Sequence, residues 1–352
     1  MASTARANKP RLGWTGGIGL LISVALLWWT LRDIHPGELA EHFGRANPWL
    51  LVATAVAATL TFVVRTIRWR YILRLDDRPL PFAPLWHATA IGFMANNILP
   101  ARSGEVARAF AAHKMTSVSF PAAAATIGVA RVMDGLTVTA FLIIAAIAGG
   151  FTRSTQIGPL NLGHLMTGTS LVFLVALAVA VFAVHNPTPA LALADRMARV
   201  LPEKWRGAPV RILRGVLDGL EVLRDWRRFA IVTAWSFGVW TVNGMSFLFG
   251  LMAFHVDVPV SAAFVLQSLI AYGVAIPSSP GFFGPFEAVA RATLALYGVA
   301  AVNAVSFAVG YHLVTFFPIT FLGLWSLSRA HLHLTDLRRA NPPPITAPAS
   351  DG

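Results

Sequence analysis

The 352-residue sequence contains no cysteine, which excludes at once a disulfide framework, a thiolate metal site and a cysteine nucleophile. It is also poor in charge. Only 12% of its residues are Asp, Glu, Lys or Arg, against about a quarter in an ordinary soluble domain, so there is too little polar surface to coat a water-facing globule. Acidic residues are scarcest, 16 against 28 Lys and Arg, and the formal net charge is +12. That excess has no soluble basic face on which a nucleic-acid duplex could lie, so anionic phospholipid headgroups are the expected partner. No Gly-rich phosphate loop, HExxH helix or nucleophile elbow occurs, and neither a cofactor nor a metal is expected.

What is present is hydrophobic sequence, 56% of the chain. The runs Gly16–Leu31, Leu50–Val64, Thr137–Gly149 and Leu171–Val184 are nearly free of charge and predict membrane helices. The first follows Arg6, Lys9 and Arg11 but continues into Trp28 and Trp29 without a small-residue cleavage site, which reads as a retained anchor. Lys and Arg mark the cytoplasmic side. By that rule residues 1–12, the segment Arg65–Arg78 and the stretch Asp195–Arg228 lie inside, with 32–47 outside. Val210, Leu213, Val216, Leu217, Leu220 and Leu223 recur at helical spacing, so the connection near 186–228 predicts an amphipathic helix on the inner headgroups. The transmembrane domain spans 13–328. From 329 to 352 a polar tail containing Asn341-Pro342-Pro343-Pro344 is expected to be cytoplasmic and partly disordered.

Two segments break the pattern, near 86–112 and 261–296. The first is interrupted by Asn96-Asn97-Ile98-Leu99-Pro100-Ala101-Arg102-Ser103-Gly104-Glu105, the second by Ile276-Pro277-Ser278-Ser279-Pro280-Gly281-Phe282-Phe283-Gly284-Pro285-Phe286-Glu287. Proline, glycine and small polar residues stop helices, and each flank is short for a bilayer crossing. Both segments therefore predict re-entrant helix–turn–helix hairpins, tolerated where they are buried in protein or line a wet cavity. In each, a proline-containing turn leads to glycine, then glutamate, then arginine: Glu105 with Arg108, and Glu287 with Arg291. The fold expected is all-α, about six full spans plus two hairpins of opposite orientation, forming an inverted repeat.

A charge at the membrane centre costs about 2.5–3.5 kcal/mol on insertion scales, which singles out Arg102, Glu105, Arg108, Arg131, Asp134, Glu287 and Arg291, with Asn97 at the first turn. Each hairpin's Glu and Arg share a helix face by spacing, as do Arg131 and Asp134. The arginines suit a phosphate. The carboxylates suit a cationic headgroup or a proton, or alternatively cap backbone N–H groups. Arg131 and Asp134 are equally well read as an ion pair that fixes packing. His312 reads as a hydrogen-bonded packing residue.

Arg65-Thr66-Ile67-Arg68-Trp69, the first break with Arg108, Arg131-Val132-Met133-Asp134, and the second break together resemble the lysylphosphatidylglycerol synthase transmembrane family, also described as flippase-like or UPF0104 membrane proteins. The resemblance implies a multi-pass inner-membrane protein related to the domain that moves aminoacylated phosphatidylglycerol between leaflets. It covers most of the membrane region; the large soluble domain of the enzyme form has no counterpart after Trp325. The expected function is a lipid flippase acting through a polar cavity between the hairpins, with both termini cytoplasmic. Two alternatives stay open: a membrane-embedded transferase acting on a lipid-linked sugar or headgroup, and a non-transporting scaffold of a lipid-synthesis enzyme.

Overall fold

The structure, a computed structural model, describes residues 14–75, 78–99, 103–158, 160–199, 207–275 and 279–339. The expected N-terminal segment 1–12 and residues 340–352 of the expected tail 329–352 lie outside these residues, as do Arg102, Pro100 and Pro277. The described chain is almost entirely helical: α1 (Trp14–Leu31), α2 (Pro36–Arg45), α3 (Pro48–Ile72), α4 (Phe82–Ile98), α5 (Gly104–Met115), α6 (Phe120–Ala148), α7 (Leu162–His185), α8 (Pro187–Ala198), α9 (Ala208–Gly219), α10 (Trp226–Ala253), α11 (Val260–Gly273), α12 (Pro285–Ala295), α13 (Ala301–Arg329) and α14 (Leu334–Arg339). Two two-residue antiparallel ladders, Arg74–Leu75 with Arg78–Pro79 and Gln156–Ile157 with Leu160–Asn161, pin loops only.

Local chemistry starts these helices. Asn47 accepts from the N–H groups of Trp49 and Leu50 at 3.0 and 3.3 Å, with Pro48 opening α3. Asp225 caps α10 through Arg227 and Arg228, and Asn161 caps α7 through His164. Each cap satisfies N–H groups that a helix start leaves unpaired. Five described helices, α3, α6, α7, α10 and α13, are long and apolar enough to cross a membrane, and the bent pair α1–α2 makes a sixth if it counts as one span. The bend is 81°. Boundaries differ from the expected ones. α3 continues past Val64 to Ile72, and α7 begins at Leu162 rather than Leu171.

The amphipathic connection is three pieces rather than one: α8, α9 and a 3-10 turn at Glu221–Leu223. Its small face packs against the protein. Gly215 and Gly219 lie against the start of α6, where an added Cβ would come within 2.9 Å of Pro121 and 2.7 Å of the Ala122 carbonyl. Ile212 remains 44% exposed on another face, apolar surface that suits lipid.

Both broken segments form helix pairs, α4 with α5 and α11 with α12. At the first, Gly92 and Gly104 let the backbones touch: a Cβ on Gly104 would sit 2.2 Å from the Gly92 carbonyl oxygen and 2.4 Å from Asn96. The Asn96 side chain accepts from Gly104 N–H at 2.9 Å and so closes the turn. At the second, a 3-10 turn at Pro280–Phe282 leads to Gly284, whose φ of +97° favours glycine. Packing between the halves is reciprocal. α3 lies along α10, α4 of the first pair packs on α13, and α11 of the second packs on α6. Each pair thus leans on the long helix that follows the other, the arrangement an internal two-fold repeat produces.

Candidate functional site

The expected charges fall into two groups. The first centres on Asp134, buried in α6. Its Oδ1 accepts from Arg68 at 2.6 Å and from the Trp240 indole at 3.0 Å, and its Oδ2 from Arg65 at 3.1 Å. One carboxylate therefore ties α3, α6 and α10 together. Arg68 also donates to Ser236 at 3.0 Å, and the Arg65 guanidinium lies 5.4 Å from the ring centres of both Phe93 and Trp240. Arg65 and Arg68, only 7% and 1% exposed, were expected in a cytoplasmic segment. They are buried in the protein, where Asp134 offsets their desolvation.

Arg131, expected to neutralise Asp134, sits 3.7 Å from it and bonds to Glu105 of α5. Glu105 is thereby taken from Arg108. Shared spacing puts two side chains on one face, but a cation from a neighbouring helix offers the carboxylate better geometry. Arg108 lies with its guanidinium 3.8 Å from the centre of the Trp69 ring, 7% exposed, and has no carboxylate within ion-pair distance among the described residues. Its buried Nε has no hydrogen-bond partner. The group holds four arginines against two carboxylates, and it opens where Arg131 and Glu105 are 44% and 30% exposed.

The second group is built on α12. Glu287 is 1% exposed. Its Oε2 accepts from the Gly284 N–H at 2.7 Å, and its Oε1 lies 2.6 Å from Nδ1 of His312. This realises the capping alternative, with a histidine that spacing alone did not connect to it. His312 Nε2 lies 2.7 Å from the Gly281 carbonyl, and the ring stacks on Phe283 and meets Phe286 at a tilt. Arg291 turns away from Glu287: it donates to the Trp29 and Thr30 carbonyls at the end of α1 and to Asp33 at 3.2 Å. A cation at a helix C-terminus satisfies carbonyls that have no partner within the helix. The Arg291 bond, aided by Arg32, holds the exposed Asp33 carboxyl below the usual carboxylate range. Asn97 belongs to neither group; its side chain donates to Thr320 of α13 at 2.9 Å.

The decisive comparison is one of sequence. The family described as lysylphosphatidylglycerol synthase TM region matches residues 17–323. The chain belongs to that family. Similar proteins include glycosyltransferase AglD of Haloferax volcanii, 27% identical over 76% of this chain and 47% of that protein. Two UPF0104 membrane proteins of Methanothermobacter thermautotrophicus are 21% and 23% identical over 88% and 87% of the chain, and over 94% and 90% of their own lengths. The chain spans about half the length of AglD and nearly all of the UPF0104 proteins. The protein is thus a multi-pass membrane protein of this family.

Proposed function

We propose that the protein is a lipid translocase that takes a phosphate-bearing headgroup at Arg108 and Arg131 and moves it between the leaflets of the inner membrane. The observation that supports this reading is the uncompensated charge of the first group. A buried guanidinium without a carboxylate is costly, and the charge-matched partner for Arg108 beside the partly exposed Arg131–Glu105 pair is an anion. Guanidinium forks suit phosphate oxygens. Acyl chains remain in lipid while the headgroup occupies the arginine cluster, with both hairpins re-entrant, the first entering from the cytoplasmic side and the second from the opposite side.

Leaflet exchange in proteoliposomes, with fluorescent phosphatidylglycerol, its lysyl derivative and a neutral lipid, tests it. Wild type exchanges the phosphate-bearing lipids, Arg108→Gln loses at least roughly 10-fold in rate, one charge-assisted hydrogen bond to phosphate being worth about 1.5–3 kcal/mol, and the exposed-loop variant Arg153→Gln matches wild type. Exchange unaltered by Arg108→Gln refutes the site; no exchange by wild type refutes the translocase. A second reading, a transferase acting on a lipid-linked sugar or headgroup, draws support from the relative named as a glycosyltransferase. A chemically altered lipid product from the purified protein decides for it.

A further inference from the structure

Glu105 and Glu287 stand in the first turns of α5 and α12, and each bonds to a side chain of the long helix that follows, 26 residues on for Arg131 and 25 for His312. Both long helices have 29 residues, and the two partners sit at the same distance from their starts at Phe120 and Ala301. Arg131 and His312 are thus corresponding positions of the repeat. One half holds its hairpin with a permanent cation; the other uses a group that can lose its charge.

The bonds around His312 require a proton count. Nδ1 faces a carboxylate oxygen, and Nε2 faces the Gly281 carbonyl oxygen, which can only accept. A neutral imidazole has one N–H and cannot donate to both. A second proton must therefore lie between Nδ1 and Oε1, as imidazolium with carboxylate or as imidazole with carboxylic acid. We propose that the Glu287–His312 pair is a proton-binding site holding one proton as a unit, and that release of this proton breaks one of the two bonds by which His312 holds the second hairpin. On release the one remaining N–H stays with the carboxylate, the stronger acceptor, and the bare Nε2 and the Gly281 carbonyl become lone pairs 2.7 Å apart, so the turn at Pro280–Phe282 is freed. The lipid-translocase reading then gains a coupling ion, and that coupling rests on the reading; proton binding by the pair does not.

The other charged and titratable groups on the surrounding elements are engaged elsewhere. Arg291 of α12 bonds to Asp33 beyond α1, Tyr311 of α13 to Ser246 of α10, His87 of α4 to Ser326, and Arg65 and Arg68 of α3 to Asp134. On α2, which meets α13 through Phe43, Phe254 and Phe307, Arg45 pairs with Glu41, and Glu38 and His42 complete the set.

Glu287→Gln separates the possibilities, because an amide donates to neutral Nδ1 while its oxygen still accepts from Gly284: it imitates the loaded pair permanently. Nitrogen-15 NMR of histidine-labelled protein in nanodiscs, with the His312 signal assigned by its absence in His312→Gln, reads the ring between about pH 5 and about pH 9. The expected result is loss of one proton from the wild-type pair, seen as a shift of the His312 nitrogens, and an invariant neutral ring in Glu287→Gln. An invariant wild-type ring, or one that titrates equally in Glu287→Gln, overturns the proton site. In proteoliposomes, lipid exchange by wild type changes roughly 10-fold across the same range and that of Glu287→Gln less than about 2-fold, each proton-linked tenfold corresponding to one pH unit. Exchange that ignores pH while the NMR signal moves overturns the coupling alone. If no lipid moves with either protein, the translocase reading fails and the NMR result still decides the proton site.

Discussion

Replacing Asp134 by asparagine tests whether one carboxylate holds three helices together. The substitution keeps the side chain's shape and removes its charge, leaving Arg65 and Arg68, 7% and 1% exposed, with no anion within ion-pair distance among the described residues. Breaking a buried ion pair by removing one partner costs about 3–5 kcal/mol, and here one removal strips two arginines. The Trp240 indole at 3.0 Å can still donate to the amide oxygen, so the lower end, about 3 kcal/mol, is expected; that is a roughly 150-fold shift in the folding equilibrium at 1.4 kcal/mol per decade. Reversible unfolding in mixed detergent micelles measures it. The double variant Asp134→Leu/Arg68→Leu should lose much less than the sum of the two single variants, because it removes charge from both sides. An Asp134→Asn protein within about 0.5 kcal/mol of wild type, the range of ordinary surface substitutions, refutes the argument that Asp134 neutralises α3.

Gly104→Ala should cost about 1–3 kcal/mol, the usual overpacking range, since its Cβ would strike the Gly92 carbonyl and Asn96; the same detergent unfolding applied to Gly128→Ala, which meets nothing within 4 Å, should show no loss. The Asp33–Arg291 contact should depend on acid. The folded Asp33 carboxyl lies below its ordinary range, so its contribution is complete above the unfolded carboxylate value and disappears as pH falls through the lowered one. An unfolding midpoint measured from neutral pH down to about pH 3 should therefore lose a component in wild type that Asp33→Asn lacks throughout; parallel curves contradict the assignment.

The broken segments were legible because their signals are local: Gly104, or Pro280 and Gly284, stand at helix breaks whatever surrounds them. Partner choice was not. Spacing linked Glu105 to Arg108 and Glu287 to Arg291, but helix faces are local and ion pairs are not. The actual partners, Arg131 and His312, come from neighbouring helices. The burial of Arg65 and Arg68 was hidden for a related reason. A run of arginines normally marks the cytoplasmic face, and only the fold brings Asp134 to them across 69 and 66 residues of sequence. A signal was present, since Arg65 and Arg68 are three apart on the continuation of an apolar helix and both face one side. His312 offered none: its partners are a carboxylate and a carbonyl that the second turn delivers.

The distribution of exposure decides which bonds a headgroup can open. Arg65 and Arg68 are bonded to Asp134 in the interior, where losing the partner costs about 3–5 kcal/mol; a phosphate that displaced Asp134 would have to supply all of that and would loosen α3 from α6. The Glu105–Arg131 pair is 30% and 44% exposed, and exposed pairs are worth about 0–1 kcal/mol. On the proposed reading, a phosphate that takes Arg131 from Glu105 displaces a partly exposed pair rather than a buried one. Arg108, stacked on Trp69 with no acid to give up, needs no displacement at all. The arginine cluster is thus divided by burial into a fixed half, which holds the helices, and an exchangeable half, which faces the opening. On the proposed reading, the first of the two hairpins exchanges its carboxylate for a ligand anion, whereas the second, with Glu287 1% exposed and bonded on both oxygens, exchanges only a proton.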